Sequence, residues 1–190
     1  LEKYDPEVLR YYLAAIMPEQ KDANFTWEDY VTRINSELIG NYGNLLHRVI
    51  SFAQKNFPDG LHADECKIPS LQEKVGETHN RVAEALEACK FKRALKAIME
   101  LSQAGNIALN EAAPWKQLKA DRDACEATMV TFLNVCRSLS VMMTPFLPTS
   151  SQKAWEYMGQ EGRIEDHGWN SAVEGKTDFK LKPPLPLFSK

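Results

Sequence analysis

The sequence lacks the cysteine patterns of zinc-binding and disulfide-stapled proteins. No CxxC pair occurs, and no histidine stands at zinc-finger spacing from the four cysteines, which are Cys66, Cys89, Cys125 and Cys136. We therefore expect no metal site and interpret the cysteines as free buried thiols. The even number leaves disulfides as an alternative, but no secretory signal supports it. A cytoplasmic protein is expected.

Long hydrophobic runs and phosphate-binding loops are also missing. No apolar stretch approaches the roughly 20 residues that a membrane-spanning helix needs, so no membrane association is expected. The sequence contains no glycine-rich phosphate loop, no Ser-His-Asp order and no HxxxH pair. We therefore expect no catalytic residue in this chain.

Positive charge is not in surplus either. The 190 residues carry 23 Lys and Arg against 26 Asp and Glu, which gives a net charge of -3. A protein that holds nucleic acid by electrostatics alone needs a cationic surplus to neutralise phosphates. RNA binding would instead depend on a few side chains that stack on unpaired bases or hydrogen-bond to them.

Hydrophobic periodicity predicts an all-α fold, a bundle of about five main helices. The hydrophobic share of 44% is enough for a continuous core. Proline positions and the 3.6-residue repeat of apolar residues set the boundaries. The predicted helices cover residues 6–17, 26–57, 70–89, 92–113 and 121–145, with a short sixth at 149–158.

Four helix starts carry capping signals. Asp5 precedes Pro6, Thr26 has an acid three places on, and Asp121 or Asp123 can cap the fifth helix. Ser70 with Glu73 has the spacing of a capping box.

The long second helix contains two glycines opposite its apolar stripe. Gly40 and Gly43 would each weaken a helix by about 1 kcal/mol relative to Ala. They indicate either close approach by another segment or simple tolerance, and we expect tolerance.

The C-terminal part, residues 159–190, is predicted to be an extended tail. It ends in a proline-rich string, Lys182 to Phe188, that cannot be helical. Its apolar side chains need a cover, so we expect the tail to dock back on the body.

Asn44 and Arg48 form the first candidate site. Four residues apart on the second helix, they point the same way from the rim of the apolar stripe. An asparagine offers a base edge both a donor and an acceptor, and a guanidinium stacks on bases or binds phosphate. The structural alternative is an intrahelical contact plus a salt bridge.

Pro114 and Trp115 form the second candidate site, in the turn after the fourth helix. A tryptophan just outside a helix end either caps the core or stands partly exposed as a stacking shelf for a base. The pattern by itself favours the core role.

Four separated strings resemble the methionyl-tRNA synthetase family, and they occur in the family's order. Together they span most of residues 1–158. The strings are DPEVLRYYL from Asp5, NFTWEDYVTRINSEL from Asn24, GNLLHR from Gly43 and NEAAPW from Asn110.

The resemblance implies the C-terminal anticodon-binding domain of a class I synthetase, which attaches methionine to tRNA(Met) using ATP. Residues 1–23 would connect to a catalytic domain, 24–158 would form the anticodon-binding bundle, and 159–190 would be the docking tail. The positions that match the family's contacts to the CAU anticodon are Asn44, Arg48, Pro114 and Trp115.

The same resemblance assigns the chemistry to another part of the polypeptide. Neither a HIGH-like motif nor a KMSKS-like loop occurs here, so ATP, with magnesium and zinc as further candidates, would bind in the catalytic domain. The expected partners are the tRNA(Met) anticodon loop and that catalytic domain.

Two alternative functions stay open at this point. One is the corresponding domain of another class I synthetase. The other is a helical protein-interaction module without an RNA role.

Overall fold

The structure is a computed structural model and describes residues 5–18, 24–64 and 67–188. Within these ranges the predicted all-α fold is confirmed, with one short strand pair added. The helices are α1 (Pro6–Ile16), α2 (Trp27–Arg33), α3 (Asn44–Asn56), α4 (Pro69–Glu87), α5 (Phe91–Ala112), α6 (Pro114–Ala120), α7 (Arg122–Met143) and α8 (Pro148–Tyr157). The strands are β1 (Leu61–His62) and β2 (Asp178–Phe179).

Three of the predicted helix caps are confirmed. The carboxylate or hydroxyl oxygens of Asp5, Thr26 and Asp121 each accept a backbone N–H two or three residues on. The predicted cap at Ser70 is wrong. The helix begins at Pro69, since proline at the first helical position needs no N–H partner, and Ser70 already lies in the first turn.

The predicted long second helix is a continuous helical path, but its centre is not α-helical. Residues Ile34–Gly43 form a π-helical segment between α2 and α3. A Cβ on Gly43 would lie 2.7 Å from the carbonyl oxygen of Leu38 and 3.0 Å from the Phe188 ring. The expectation of simple tolerance is therefore wrong at Gly43, where the C-terminal segment packs against the helix. A hydrophobic period does not show such a π segment, and π-helical turns frequently occur at functional sites.

Helix α7 forms the centre of the molecule. It is buried over most of its length and packs against α3, α4, α5, α6 and α8. A helix covered on all sides needs apolar or internally bonded side chains around its whole circumference. The bundle thus surrounds α7 and leaves the α3 and α5 faces away from it partly open.

The C-terminal segment is less extended than predicted. After α8 it makes two 3₁₀ turns, Ile164–His167 and Trp169–Ala172, and then β2, which pairs antiparallel with β1. Gly159 starts this path at a φ of +70°, where a Cβ would collide with the Lys180 carbonyl oxygen. The backbone of the tail therefore runs directly against the end of α8.

The cysteines are only partly as expected. Cys125 and Cys136 are free and buried, whereas Cys89 is free but exposed, at a φ of +54° just after α4. Cys66 lies outside the described residues, as do most of the polar stretch 19–24 and part of the predicted connection 1–23.

Candidate nucleic-acid interface

Asn44 and Arg48 lie on the first two turns of α3 and face α5. The Asn44 amide nitrogen donates to the Asn106 carbonyl oxygen at 3.1 Å, and the Arg48 guanidinium donates to the Asn110 carbonyl oxygen at 2.7 Å. Both contacts join two helices, so the alternative of an intrahelical contact plus a salt bridge does not describe them. Both side chains remain partly accessible.

A third asparagine extends this row of contacts. Asn41, at the end of the π-helical segment, donates to the backbone carbonyl of Met99 at 3.0 Å. Asn106 in turn donates to the backbone carbonyl and the side-chain oxygen of Asn41, each at 3.1 Å. We call the set Asn41, Asn44, Arg48, Asn106 and Asn110 the amide seam.

Sequence reasoning missed three members of the amide seam, Asn41, Asn106 and Asn110. Their partners lie 58 to 65 residues away along the chain. The one usable signal was the spacing of Asn106 and Asn110, which matches the spacing of Asn44 and Arg48 on the facing helix. Equal spacing of four residues on two packed helices allows paired contacts in successive turns.

Pro114 and Trp115 begin α6, a seven-residue helix where the sequence predicted only a turn. Ala113 adopts a left-handed conformation with a φ of 44° and separates α5 from α6. Proline at the first helical position was a signal for this helix. The helix is too short to show a hydrophobic period of its own.

Trp115 is 41% exposed, while Pro114 beside it is buried. The Pro114 carbonyl oxygen accepts from the Cys125 thiol at 3.4 Å, which ties the start of α6 to α7. Within the described ranges the indole makes no ring contact or hydrogen bond. The start of α6 is therefore held in place while part of the Trp115 ring is exposed to solvent, next to the exposed Lys116.

The four predicted residues lie at two places that α5 connects, and we call these two places together the α5 edge. Asn44 and Arg48 pack on α5, and Pro114 and Trp115 follow where α5 ends. The link between the two places is Asn110, which holds Arg48 and lies five positions before Trp115. Whether these residues contact RNA stays a prediction.

An open pocket of about 160 Å³ adjoins Asn44. Its lining comes from the π-helical segment, the start of α3 and the C-terminal segment: Ile39, Gly43, Asn44, His47, Pro186, Leu187 and Phe188. The tail therefore contributes an apolar wall next to a predicted site residue.

Metal-binding clusters and membrane-spanning helices are both missing from the described part of the chain. Over residues 5–18, 24–64 and 67–188, no group of three His, Cys, Asp or Glu side chains is placed to hold a metal ion. No helix in this described part of the chain combines the length and apolar character required to cross a bilayer.

Comparisons with known proteins place the chain in a family. Residues 57–181 match a family model described as the anticodon binding domain of methionyl tRNA ligase. Residues 1–50 match one described as class I (M) tRNA synthetases.

Curated relatives agree over nearly the whole chain. A methionine–tRNA ligase of Methanopyrus kandleri is 35% identical over 187 residues, covering 98% of this chain and 28% of that protein. One of Dehalococcoides mccartyi is 37% identical over 195 residues, covering 100% of this chain and 35% of that protein. The chain thus spans about a third of the length of these relatives.

A solved structure supports the same assignment. Mycobacterium tuberculosis methionyl-tRNA synthetase, bound by methionyl-adenylate, is similar with a TM-score of 0.90 at 25% identity. The similarity covers 99% of this chain and 38% of that one. The chain therefore belongs to the family of methionyl-tRNA ligase anticodon-binding domains.

Proposed function

We propose that this chain recognises the CAU anticodon loop of tRNA(Met) as part of a methionine–tRNA ligase. The observation that carries the proposal is the α5 edge, with the amide seam and Trp115. It combines amide groups, a guanidinium and a partly exposed indole, which are groups that bind unstacked RNA bases. Membership of the methionyl-tRNA ligase family supports this function over the helical interaction module and over another class I synthetase.

The proposed mechanism gives each residue a separate task. Trp115 stacks on one splayed anticodon base, and Pro114 fixes the indole by anchoring the start of α6. Asn44 hydrogen-bonds to a base edge, and Arg48 stacks or binds phosphate while Asn110 holds its guanidinium. Such binding would orient the distant acceptor end of the tRNA for aminoacylation.

We assign the remaining steps to parts of the ligase that this chain does not span. ATP use, and any magnesium or zinc, belong in that proposal to the catalytic domain, which is also the expected partner of residues 1–23. Residues 24–158 would act as the anticodon-binding body and 159–190 as the tail. A cytoplasmic location completes the proposal.

The direct test is replacement of Trp115 by alanine. Loss of base stacking should weaken binding of a CAU anticodon stem-loop by about 1–3 kcal/mol, roughly 5- to 150-fold. Trp27→Ala is the matched control, because Trp27 is also exposed but begins α2, 14 positions before Asn41, the first residue of the amide seam. Affinity of Trp115→Ala within about twofold of the unsubstituted chain would contradict the stacking role.

A second arm tests specificity. The unsubstituted chain should prefer the CAU loop to stem-loops carrying other anticodons. Equal binding of all loops would contradict anticodon recognition, and a stable complex with a protein without any RNA binding would favour the interaction module.

A further inference from the structure

The amide seam fixes which way the Asn44 side chain presents its polar atoms. An asparagine amide has a donor side and an acceptor side, and a flip of 180° exchanges them. Which side faces a ligand depends on which side the protein already uses. In this structure the choice is made by a chain of three amides that ends on backbone carbonyls.

The first link is Asn41. Its amide nitrogen donates to the Met99 backbone oxygen, which has no donor to offer in return. The Asn41 side-chain oxygen is thereby directed to Asn106, from which it accepts at 3.1 Å.

Asn106 is held more firmly still. Its amide nitrogen lies 3.1 Å from the Asn41 backbone oxygen and 3.3 Å from the Ser102 backbone oxygen, in addition to the Asn41 side chain. A flip would place the Asn106 oxygen against three acceptor oxygens, and such a contact between oxygens is costly for partly buried groups. Asn106 must therefore turn its own oxygen toward Asn44.

Asn44 has only one way to satisfy that oxygen. It donates its amide nitrogen to Asn106 at 3.1 Å, which leaves the Asn44 oxygen without a protein donor among the described residues. We propose that Asn106 is a positioning residue that presents Asn44 as a hydrogen-bond acceptor, so that the α5 edge selects a base with an exocyclic amino group. The inference rests on the proposed anticodon function and adds the polarity of recognition.

The chemistry defines the selected bases. Cytosine and adenine carry amino donors where uracil and guanine carry carbonyl acceptors. An acceptor held at Asn44 is satisfied by the first pair and repelled by the second. Without Asn106 the amide is free to flip, and its nitrogen can then donate to a carbonyl-bearing base.

The test uses the full 190-residue chain and three stem-loops: one with CAU, one with its cytosine replaced by uracil, and one with its adenine replaced by inosine. The unsubstituted chain should bind one of the two altered stem-loops about tenfold more weakly than the CAU stem-loop, as expected for one base-edge contact. In Asn106→Ala the ratio of the affinity for the CAU stem-loop to that for the altered stem-loop should fall to about twofold or less. This variant should also bind the carbonyl-bearing stem-loop more tightly than the unsubstituted chain does. A gain of affinity for the wrong base is a result that simple loss of structure does not give.

Two further variants complete the experiment. Asn110→Ala, which releases Arg48 and leaves Asn44 held, should weaken binding while keeping the preference for the amino group. Asn106→Leu keeps a side chain of similar volume but offers Asn44 no acceptor, so it should lose the preference and decides the question if Asn106→Ala fails to fold.

The outcomes separate the two proposals. If the unsubstituted chain does not bind the CAU loop, the proposed function fails. If it binds but neither exchange changes affinity by threefold, or if folded Asn106→Ala keeps the full ratio, the proposed function stands and the positioning role of Asn106 is wrong. A folded Asn106→Leu that keeps the full ratio would also overturn it.

Discussion

Two polar regions join segments that are distant in sequence, and they differ in the hydrogen-bond partners of their outermost side chains. Where the tail meets α7, side chains of α7 bond to backbone atoms. Asn134 bonds to both the backbone nitrogen and the backbone oxygen of Lys176, each at 2.8 Å. Arg137 donates to the backbone oxygens of Ser171 and Glu174 at 2.5 and 2.9 Å.

In the amide seam the outermost contacts instead join side chain to side chain. Asn44 meets Asn106, and Arg48 meets the exposed side chain of Asn110. A side-chain partner on the surface can rotate away or be replaced by water, whereas a buried backbone carbonyl has no such freedom.

A contact that stabilises the fold differs from a recognition contact in which polar atoms stay available to a ligand. Polar side chains that bond to the backbone of another segment hold that segment in place and stabilise the fold. Partly exposed side chains that pair with each other keep unused donors and acceptors. The two arginines, Arg137 and Arg48, embody the two cases.

The largest expected effect is on stability, from Arg137→Ala. Arg137 is 6% exposed, and its guanidinium also lies 5.0 Å from the Trp155 ring centroid. Its removal leaves two backbone carbonyls without a donor and opens a gap beside Trp155, so the free energy of unfolding should fall by about 3 kcal/mol. Urea unfolding followed by circular dichroism measures it.

The control for that prediction is Arg81→Ala. Arg81 pairs with Glu100 on the surface, and such pairs contribute about 0–1 kcal/mol. If Arg137→Ala were no more destabilising than Arg81→Ala, the contacts of Arg137 with backbone oxygens would not stabilise the fold.

The second expected effect is on RNA affinity, from Arg48→Ala. Stability should change by less than about 1 kcal/mol, because Asn110 is exposed and water can replace the guanidinium. Affinity for the CAU stem-loop should fall about tenfold if Arg48 binds phosphate, and the slope of log affinity against log salt should fall by about 0.7. Binding titrations at several salt concentrations give both quantities.

Two results would contradict phosphate binding by Arg48. Strong destabilisation with unchanged RNA affinity would make Arg48 a structural residue like Arg137. Weaker binding with an unchanged salt slope would leave stacking on a base as its role.

The smallest expected effect is a pH dependence of tail docking. On β1 and β2, an imidazole nitrogen of His62 lies 2.6 Å from a carboxylate oxygen of Asp178, and both side chains are more than half exposed. The hydrogen bond to Asp178 raises the pKa of His62 above 6.5, and the hydrogen bond from His62 lowers the pKa of Asp178 below 3.8. Solvent screening keeps the contribution small.

The directions of the two pKa shifts define the pH window in which this pair stabilises the protein. The contribution of His62 is complete below pH 6.5 and is lost as the pH rises through its higher folded-state pKa. That of Asp178 is complete above pH 3.8 and is lost as the pH falls through its lower folded-state pKa. The Tm difference between the unsubstituted chain and Asp178→Asn should therefore be largest near pH 5. A difference that grows toward pH 9 would contradict the pairing.

The sequence by itself determined the helices and the faces they present. Local signals act within a few residues, so the caps at Asp5, Thr26 and Asp121 and the common face of Asn44 and Arg48 followed from spacing. The same local logic failed at Ser70, because the helix begins at Pro69, two residues before the start that a cap at Ser70 predicts. It also failed at α6, which is too short to show a period.

Only the tertiary structure decided what those faces meet. The contacts of Asn44 and Arg48 each span 62 residues, and the packing of Phe188 on Gly43 brings the last described residue to the second helical path. No periodicity encodes such pairs, because they depend on how helices cross around α7. The direction of the Asn44 amide depends on this as well, since it is set by backbone carbonyls of another helix through Asn41 and Asn106.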